Sequence, residues 1–178
     1  MKTLIETERL VLREITLDDT KEMFGLHSNA NVQKYTGEPP VESIEEMQQA
    51  IQTRISDYKK YRYGRWATFL KNEMEFIGWA GLAYLPEFDE IDLGYRFLPK
   101  FWGMGYATEV SHAILEYGFD TLQLDRIIAI AMKENIASIR VMEKVGMEFD
   151  KFAPYEPGGE DVVWYWCDKE LITKNKHV

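Results

Sequence analysis

The sequence predicts an α+β domain, a mixed and mostly antiparallel sheet with helices packed on it. Three observations carry this expectation. Residues 65–98 read as three short strands in succession with turn residues between them, and connections that short pair strands antiparallel. Residues 44–58 repeat apolar side chains at helical spacing. Arg126 to Met132 is an almost unbroken apolar run, the pattern of a strand covered on both faces in the sheet centre.

In chain order, Arg9 to Ile15 mixes apolar and charged residues at strand spacing. Thr16-Leu17-Asp18-Asp19 reads as a helix start that Thr16 or Asp18 can cap, and Met23, Phe24 and His27 continue one face. Pro39-Pro40 breaks the chain, and Ser43-Ile44-Glu45-Glu46 is a capping box. Ile44, Met47, Ile51, Ile55 and Tyr58 then form one apolar stripe, with the charged remainder of that helix read as a solvated face. Strands follow at Arg65–Leu70, Glu75–Tyr84 and Glu90–Leu98. In the last of them Ile91, Leu93, Tyr95 and Phe97 alternate with Asp92, Gly94 and Arg96, one buried face against one polar face. A helix carries Ala107, Val110, Ile114 and Tyr117 inward; a shorter one, Ala137–Val145, stops at Gly146; Val162–Cys167 is the final strand. Residues 3–172 are expected to form the domain and residues 173–178 a disordered tail.

The chain of 178 residues fits one domain and shows no internal repeat or linker. Nine Phe, ten Tyr and five Trp exclude intrinsic disorder. The longest apolar stretch, Phe76 to Leu85, falls far short of the roughly 20 residues of a membrane span. The N-terminus turns polar too soon for a secretory signal, which places the chain in the cytoplasm with no membrane partner. One cysteine, Cys167, excludes a disulfide framework, and His27, His112 and His177 lack metal-ligand spacing, so no metal is expected. A net charge of −9 argues against nucleic acid as a partner. An anionic ligand must then meet a local basic or amide-lined pocket.

Two clusters carry chemistry. Lys100 to Thr108 joins a strand to a helix, with Gly103 and Gly105 able to turn tightly and the next helix offering free N–H groups to a phosphate. A plain connecting loop is the other reading. A dinucleotide site is disfavoured, because Thr108 stands where the third glycine would be. In the second cluster, Asn135 opens a helix on which Ser138 and Met142 share one face and Arg140 and Lys144 another.

Together these blocks resemble the GNAT superfamily of N-acetyltransferases, in particular its ribosomal-protein alanine acetyltransferase (RimJ/RimL-like) branch. Thr7 to Arg13 is similar to that branch's opening strand. Asp92-Leu93-Gly94-Tyr95 with Trp102 to Glu109 is similar to its acetyl-CoA motif, and Asn135 to Met147 to its second cofactor motif. The resemblance implies a twisted sheet that splays open beside the strand ending at Leu98. Pantetheine would lie in that cleft on the backbone of Phe97 and Leu98. The pyrophosphate would sit on the amides of Gly103, Met104, Gly105, Tyr106, Ala107 and Thr108. Asn135 would meet the pantetheine arm, with Arg140 and Lys144 as further cofactor contacts. Lys100 replaces the usual Gln or Arg at the loop start.

The activity implied is direct transfer of acetyl from acetyl-CoA to a primary amine, on a protein N-terminus or a small molecule. Deprotonating a lysine-like amine at pH 7 costs about 4.6 kcal/mol, an α-amine only about 1.4 kcal/mol. Asp92 is the expected base, and pairing with a surface Arg or Lys is its alternative role. The family's Tyr acid is replaced by Met142, so Ser138 is the expected acid, against a plain helix-start hydroxyl. Tyr35, Trp66 and Trp79 are candidates for a substrate pocket, with core packing as the default for aromatics. Cys167, His112 and Glu109 are expected to be structural. The acidic surface favours a cationic acceptor such as a basic N-terminus or a polyamine, and the branch suggests a homodimer. The rival reading is a non-catalytic acetyl-CoA-binding sensor or interaction module.

Overall fold

The computed structural model describes residues 3–175. Its strands are β1 (Ile5–Glu6), β2 (Leu10–Glu14), β3 (Arg65–Leu70), β4 (Phe76–Leu85), β5 (Glu90–Phe97), β6 (Ile127–Ala131), β7 (Glu148–Pro154) and β8 (Asp161–Cys167). The helices are α1 (Thr20–His27), α2 (Ala30–Gln33), α3 (Ile44–Tyr61), α4 (Tyr106–Glu116), α5 (Ile136–Lys144) and α6 (Lys169–Asn175). The sheet runs β1-β2-β3-β4-β5-β6-β8-β7. Every pairing is antiparallel except β5 with β6. This is the expected mixed α+β sheet flanked by helices.

Both faces of the sheet are covered. One core packs Leu10, Leu12, Trp66, Leu82, Leu93 and Phe97 beneath α4 and α5, through Val110, Ile114 and Met142. The second packs Ala67, Phe69 and Trp79 against Met23 and Leu26 of α1 and Met47 and Ile51 of α3. Alternation along β3 produces this split, because Trp66 and Ala67 face opposite ways. The Tyr58 hydroxyl fastens α3 to the sheet: it donates to the Arg65 carbonyl and accepts from the Ile15 amide at 3.0 Å. Burial pushes that phenol up to about 12.

Several expectations change in detail. The capping box at Ser43 is half built: Ser43 accepts from the Glu46 amide at 3.1 Å, while Glu46 reaches past it to the Glu42 amide at 2.9 Å. Ile44 starts the helix and is exposed, so it leaves the buried stripe. Tyr117 begins a wider π turn over residues 117–121, outside α4 proper. Residues 173–175 are the last turn of α6, where Thr173 Oγ1 donates to the Lys169 carbonyl at 2.8 Å, so the expected tail does not begin at 173. Residues 176–178 of that tail lie outside the described residues. No helix among the described residues is long and apolar enough to cross a membrane.

Candidate active site

The site begins where the sheet comes apart. β5 and β6 share one bridge, Asp92 to Ile128, and β5 then runs on to Phe97 without a β6 partner. Leu98 is not available to a ligand there. Its amide donates to Ile77 O at 2.8 Å and its carbonyl accepts from Phe101 N at 3.0 Å, which corrects the expectation that its backbone lines the cleft. With Phe97 opposite Gly78, the antiparallel alternation turns the backbone groups of Leu93, Tyr95 and Phe97 toward the open edge. The Phe97 carbonyl is taken by the Trp102 indole N–H at 2.7 Å. The Phe97 amide is therefore the cleft-facing donor nearest the loop.

The loop that follows is shaped by two left-handed glycines, Gly103 at φ 74° and Gly105 at φ 83°. Gly105 caps α4 without any side-chain cap, and the first intrahelical bond is from Glu109 N to Gly105 O at 3.0 Å. The amides of Tyr106, Ala107 and Thr108 thus have no helical acceptor. A Cβ built on Gly103 would meet nothing within 4 Å, so the loop is open on that side. Trp102 and Met104 flank it, each about half exposed.

A contact the sequence did not reveal holds this loop in place. Arg9, entering β2, donates to the Met104 carbonyl at 3.0 Å, lies 4.5 Å over the Tyr106 ring and pairs with Glu109 at 2.6 Å. Glu109 also accepts from the Thr7 hydroxyl at 2.6 Å and the Arg9 amide at 2.9 Å. Burial pushes the Glu109 carboxyl up, but these donors outweigh it and hold it below its ordinary value. Lys100 pairs with Glu75 at the loop's outer side.

Across the cleft, Asn135 Oδ1 caps α5 by accepting from Ser138 N at 3.2 Å, which leaves only its NH2 for a ligand. Ser138 Oγ lies 3.2 Å from Tyr95 Oη, joining α5 to the splayed end of β5. Burial raises the Tyr95 phenol, although the Ser138 hydrogen bond pulls the other way. Met142 is buried in the core, while Arg140 and Lys144 are exposed on α5.

On the opposite face of β5, Asp92 is paired with Arg65, which also donates to Gly81 O at 2.6 Å and Asp92 O at 3.1 Å. The guanidinium lies over Gly94, where a Cβ would stand 2.8 Å from Arg65 Nη1, so a side chain there would push the guanidinium aside. Burial raises the Asp92 carboxyl, only partly offset by Arg65 and the Ile130 amide. The structure therefore supplies the arginine partner that the sequence left as an alternative role for Asp92.

Beside this pair is a cavity of about 350 Å³. Its wall brings together Arg54, Asp57 and Tyr61 of α3, Arg65, Trp79 and Tyr84 of the sheet, Arg96 of β5 and Glu38 of the α2–α3 loop. Of the aromatic residues singled out for a pocket, Trp79 lines it. Trp66 is 1% exposed in the core, edge-on to Tyr117, and Tyr35 sits in the turn after α2, away from the wall. Trp79 donates to His27 Nε2 at 3.1 Å. Burial, helped by Arg54 and Arg96, pushes that imidazole down to about 3. Cys167 is buried, its thiol pushed up to about 12, which suits packing and not nucleophilic work.

The matches to known proteins agree with this geometry. Residues 9–148 match the family described as Acetyltransferase (GNAT) domain. The uncharacterized N-acetyltransferase YoaA of Bacillus subtilis is 36% identical over 149 residues, covering 83% of this chain and 84% of that protein. The spermidine N(1)-acetyltransferase of Escherichia coli strain K12 is 28% identical over 144 residues, covering 78% of this chain and 73% of that one. A crystal structure of a GNAT-family acetyltransferase from Bacillus anthracis superposes with a TM-score of 0.80 at 28% identity, covering 95% of this chain and 99% of that one. With an open sheet, a glycine loop at a helix N-terminus and a family match across most of its length, the chain belongs to the GNAT acetyltransferase family and is an acetyltransferase enzyme.

Proposed function

We propose that the enzyme moves an acetyl group from acetyl-CoA directly onto a primary amine. The observation that carries this reading is the pairing of uncapped α4 amides with a strand edge left open after one β5–β6 bridge. An uncapped helix start suits a diphosphate. An open strand edge suits the amide-rich pantetheine arm, which can pair with it as an added strand. The residues that would hold acetyl-CoA are the amides from Gly103 to Thr108, the Phe97 N–H and the Asn135 side-chain NH2. Bound acetyl-CoA supplies an acetyl thioester.

The chain's own groups supply the rest. A cleft-facing amide further back along β5, that of Tyr95, takes the carbonyl-polarising role first expected near Leu98, because Phe97 lies at the diphosphate end of the strand. Asp92, with its carboxyl raised, accepts the proton of the attacking amine directly or through water, and the raised value makes it the stronger base. Ser138, held 3.2 Å from Tyr95 Oη, delivers a proton to the leaving sulfur and is reprotonated from solvent. The RimJ/RimL-like branch and the homodimer that it suggests belong to the same proposal, supported by the blocks at Thr7–Arg13 and Asp92–Tyr95.

The test is calorimetry with coenzyme A followed by thiol release from acetyl-CoA across a panel of amines. The expected result is cofactor binding and turnover of at least one amine. Substituting Ser138→Ala should lower kcat about 100-fold or more with little change in coenzyme A affinity. Tight cofactor binding with no turnover of any amine would instead favour the sensor reading.

A further inference from the structure

The cavity beside Asp92 contains an electrostatic arrangement that the fold does not require. Arg54, Arg65 and Arg96 bring their guanidinium carbons to 5.3, 5.2 and 5.3 Å from the centre of one indole, that of Trp79. They come from three elements, α3, β3 and β5. Two of the three are satisfied. Arg65 has Asp92 and the Gly81 carbonyl, while Arg96 has Glu38 at 2.8 Å and Gln33 at 3.2 Å. Arg54 has neither ion pair nor hydrogen bond among the described residues, and its Nε is buried without a partner. Asp57, one turn along α3, lines the same cavity but does not close a bridge to it.

Like charges gathered at one cavity wall repel, and a half-buried guanidinium without an ion pair is costly. Burial, with Arg65 and Arg96 nearby, pushes Arg54 down to about 10. The Trp79 face accounts for the position of Arg54 but not for its missing ion pair, and in an anion-binding site that counter-charge arrives with the ligand. Arginine's planar fork suits a carboxylate or phosphate in particular. The position is equally telling. Arg65 is bound to Asp92 at the last β5–β6 bridge, and Arg96 lies on the splayed end of β5, so the cavity opens beside the place where acetyl would be transferred.

We infer that the acceptor is a small primary amine that also carries a carboxylate or phosphonate-type anion, which Arg54 binds with Arg65 and Arg96 arrayed around it. The amine end would lie toward Asp92, with Tyr61, Tyr84 and Trp79 as the apolar wall. The volume of about 350 Å³ suits a molecule the size of an amino acid or a peptide's first residues. The inference rests on the transferase reading and narrows it. It sets one guanidinium without an ion pair at the cavity wall against the net charge of −9.

The experiment measures kcat/KM for matched acceptors: α-amino acids, their carboxamides, aminoalkylphosphonates and spermidine. Binding of the corresponding N-acetyl amino acids and N-acetyl amino amides is followed in parallel by calorimetry. Acids or phosphonates should exceed their neutral partners by at least tenfold, and whichever anion wins identifies the source. Arg54→Gln should erase that ratio and Arg54→Lys restore part of it, with coenzyme A binding reporting that each variant is folded. Equal use of acids and amides, a preference for spermidine, or a ratio untouched by Arg54→Gln would overturn the inference. If no amine turns over yet N-acetyl amino acids bind through Arg54, the anion site stands and the transferase reading falls. If neither turnover nor binding prefers the anion, the site itself is refuted. Should both variants misfold, the acid-to-amide ratio of the unmodified enzyme decides alone.

Discussion

The two sides of β5 are built in different ways. On the α4 side, the elements of the site are close in sequence. Gly103, Gly105 and the three amides after them lie within six residues, and the groups they offer a ligand are backbone N–H groups. On the α3 side, the cavity is assembled from the side chains of Glu38, Arg54, Arg65, Trp79 and Arg96, spread over 59 positions of the chain. A backbone site tolerates drift in its side chains. A side-chain site can be retuned one residue at a time, which is what a shared cosubstrate and a variable acceptor require of one fold.

This difference should first be visible in acid. His27 is held neutral beneath Trp79, with a folded value near 3 against an ordinary 6.5. The unfolded chain binds that proton first, so stability falls as pH drops through 6.5 and continues to fall toward 3. The slope is about 1.4 kcal/mol per pH unit, approaching about 5 kcal/mol in all. Urea unfolding between pH 7 and 5 should show that slope, and His27→Gln should flatten it. An unchanged slope in that variant would place the acid sensitivity elsewhere.

A somewhat smaller loss is expected from Asp92→Asn. It leaves Arg65 without its counter-ion on the cavity wall and should lower stability by about 3–5 kcal/mol. If Asp92 is also the base, the variant's pH–rate profile loses its acidic limb. If the limb survives, Asp92 only positions Arg65. The smallest of the three effects belongs to the backbone side. Gly105→Val forces a branched residue into a left-handed conformation at φ 83°, with its Cβ 3.4 Å from the Arg9 guanidinium. Coenzyme A affinity should drop about 10–100-fold, while binding of anions in the Arg54 cavity stays as it was.

The same contrast explains what the sequence made legible. Periodicity exposed α3, the three-strand meander and the central β6, because each is a local pattern with one dominant buried face. It missed β7, where Glu148, Asp150 and Lys151 are all exposed and the strand is defined by pairing with β8. It missed the two-residue β1 and the four-residue α2, both too short for any period to register. The glycine loop was readable because its function is local. The arginine cluster was not. Arg54 sits among the charged positions of an amphipathic helix and looks solvated until α3 is laid over Trp79. Asp92 gave the right strand and face, but its partner lies 27 positions away.

The buckle between Thr7, Arg9 and Glu109 has a practical side. The glycine loop before α4 is latched by the short segment between β1 and β2, about 100 positions distant in sequence from the helix it secures. Altering that segment is thus no neutral handling choice, because whatever tugs on the strap at Thr7 and Arg9 tugs on the loop at Met104.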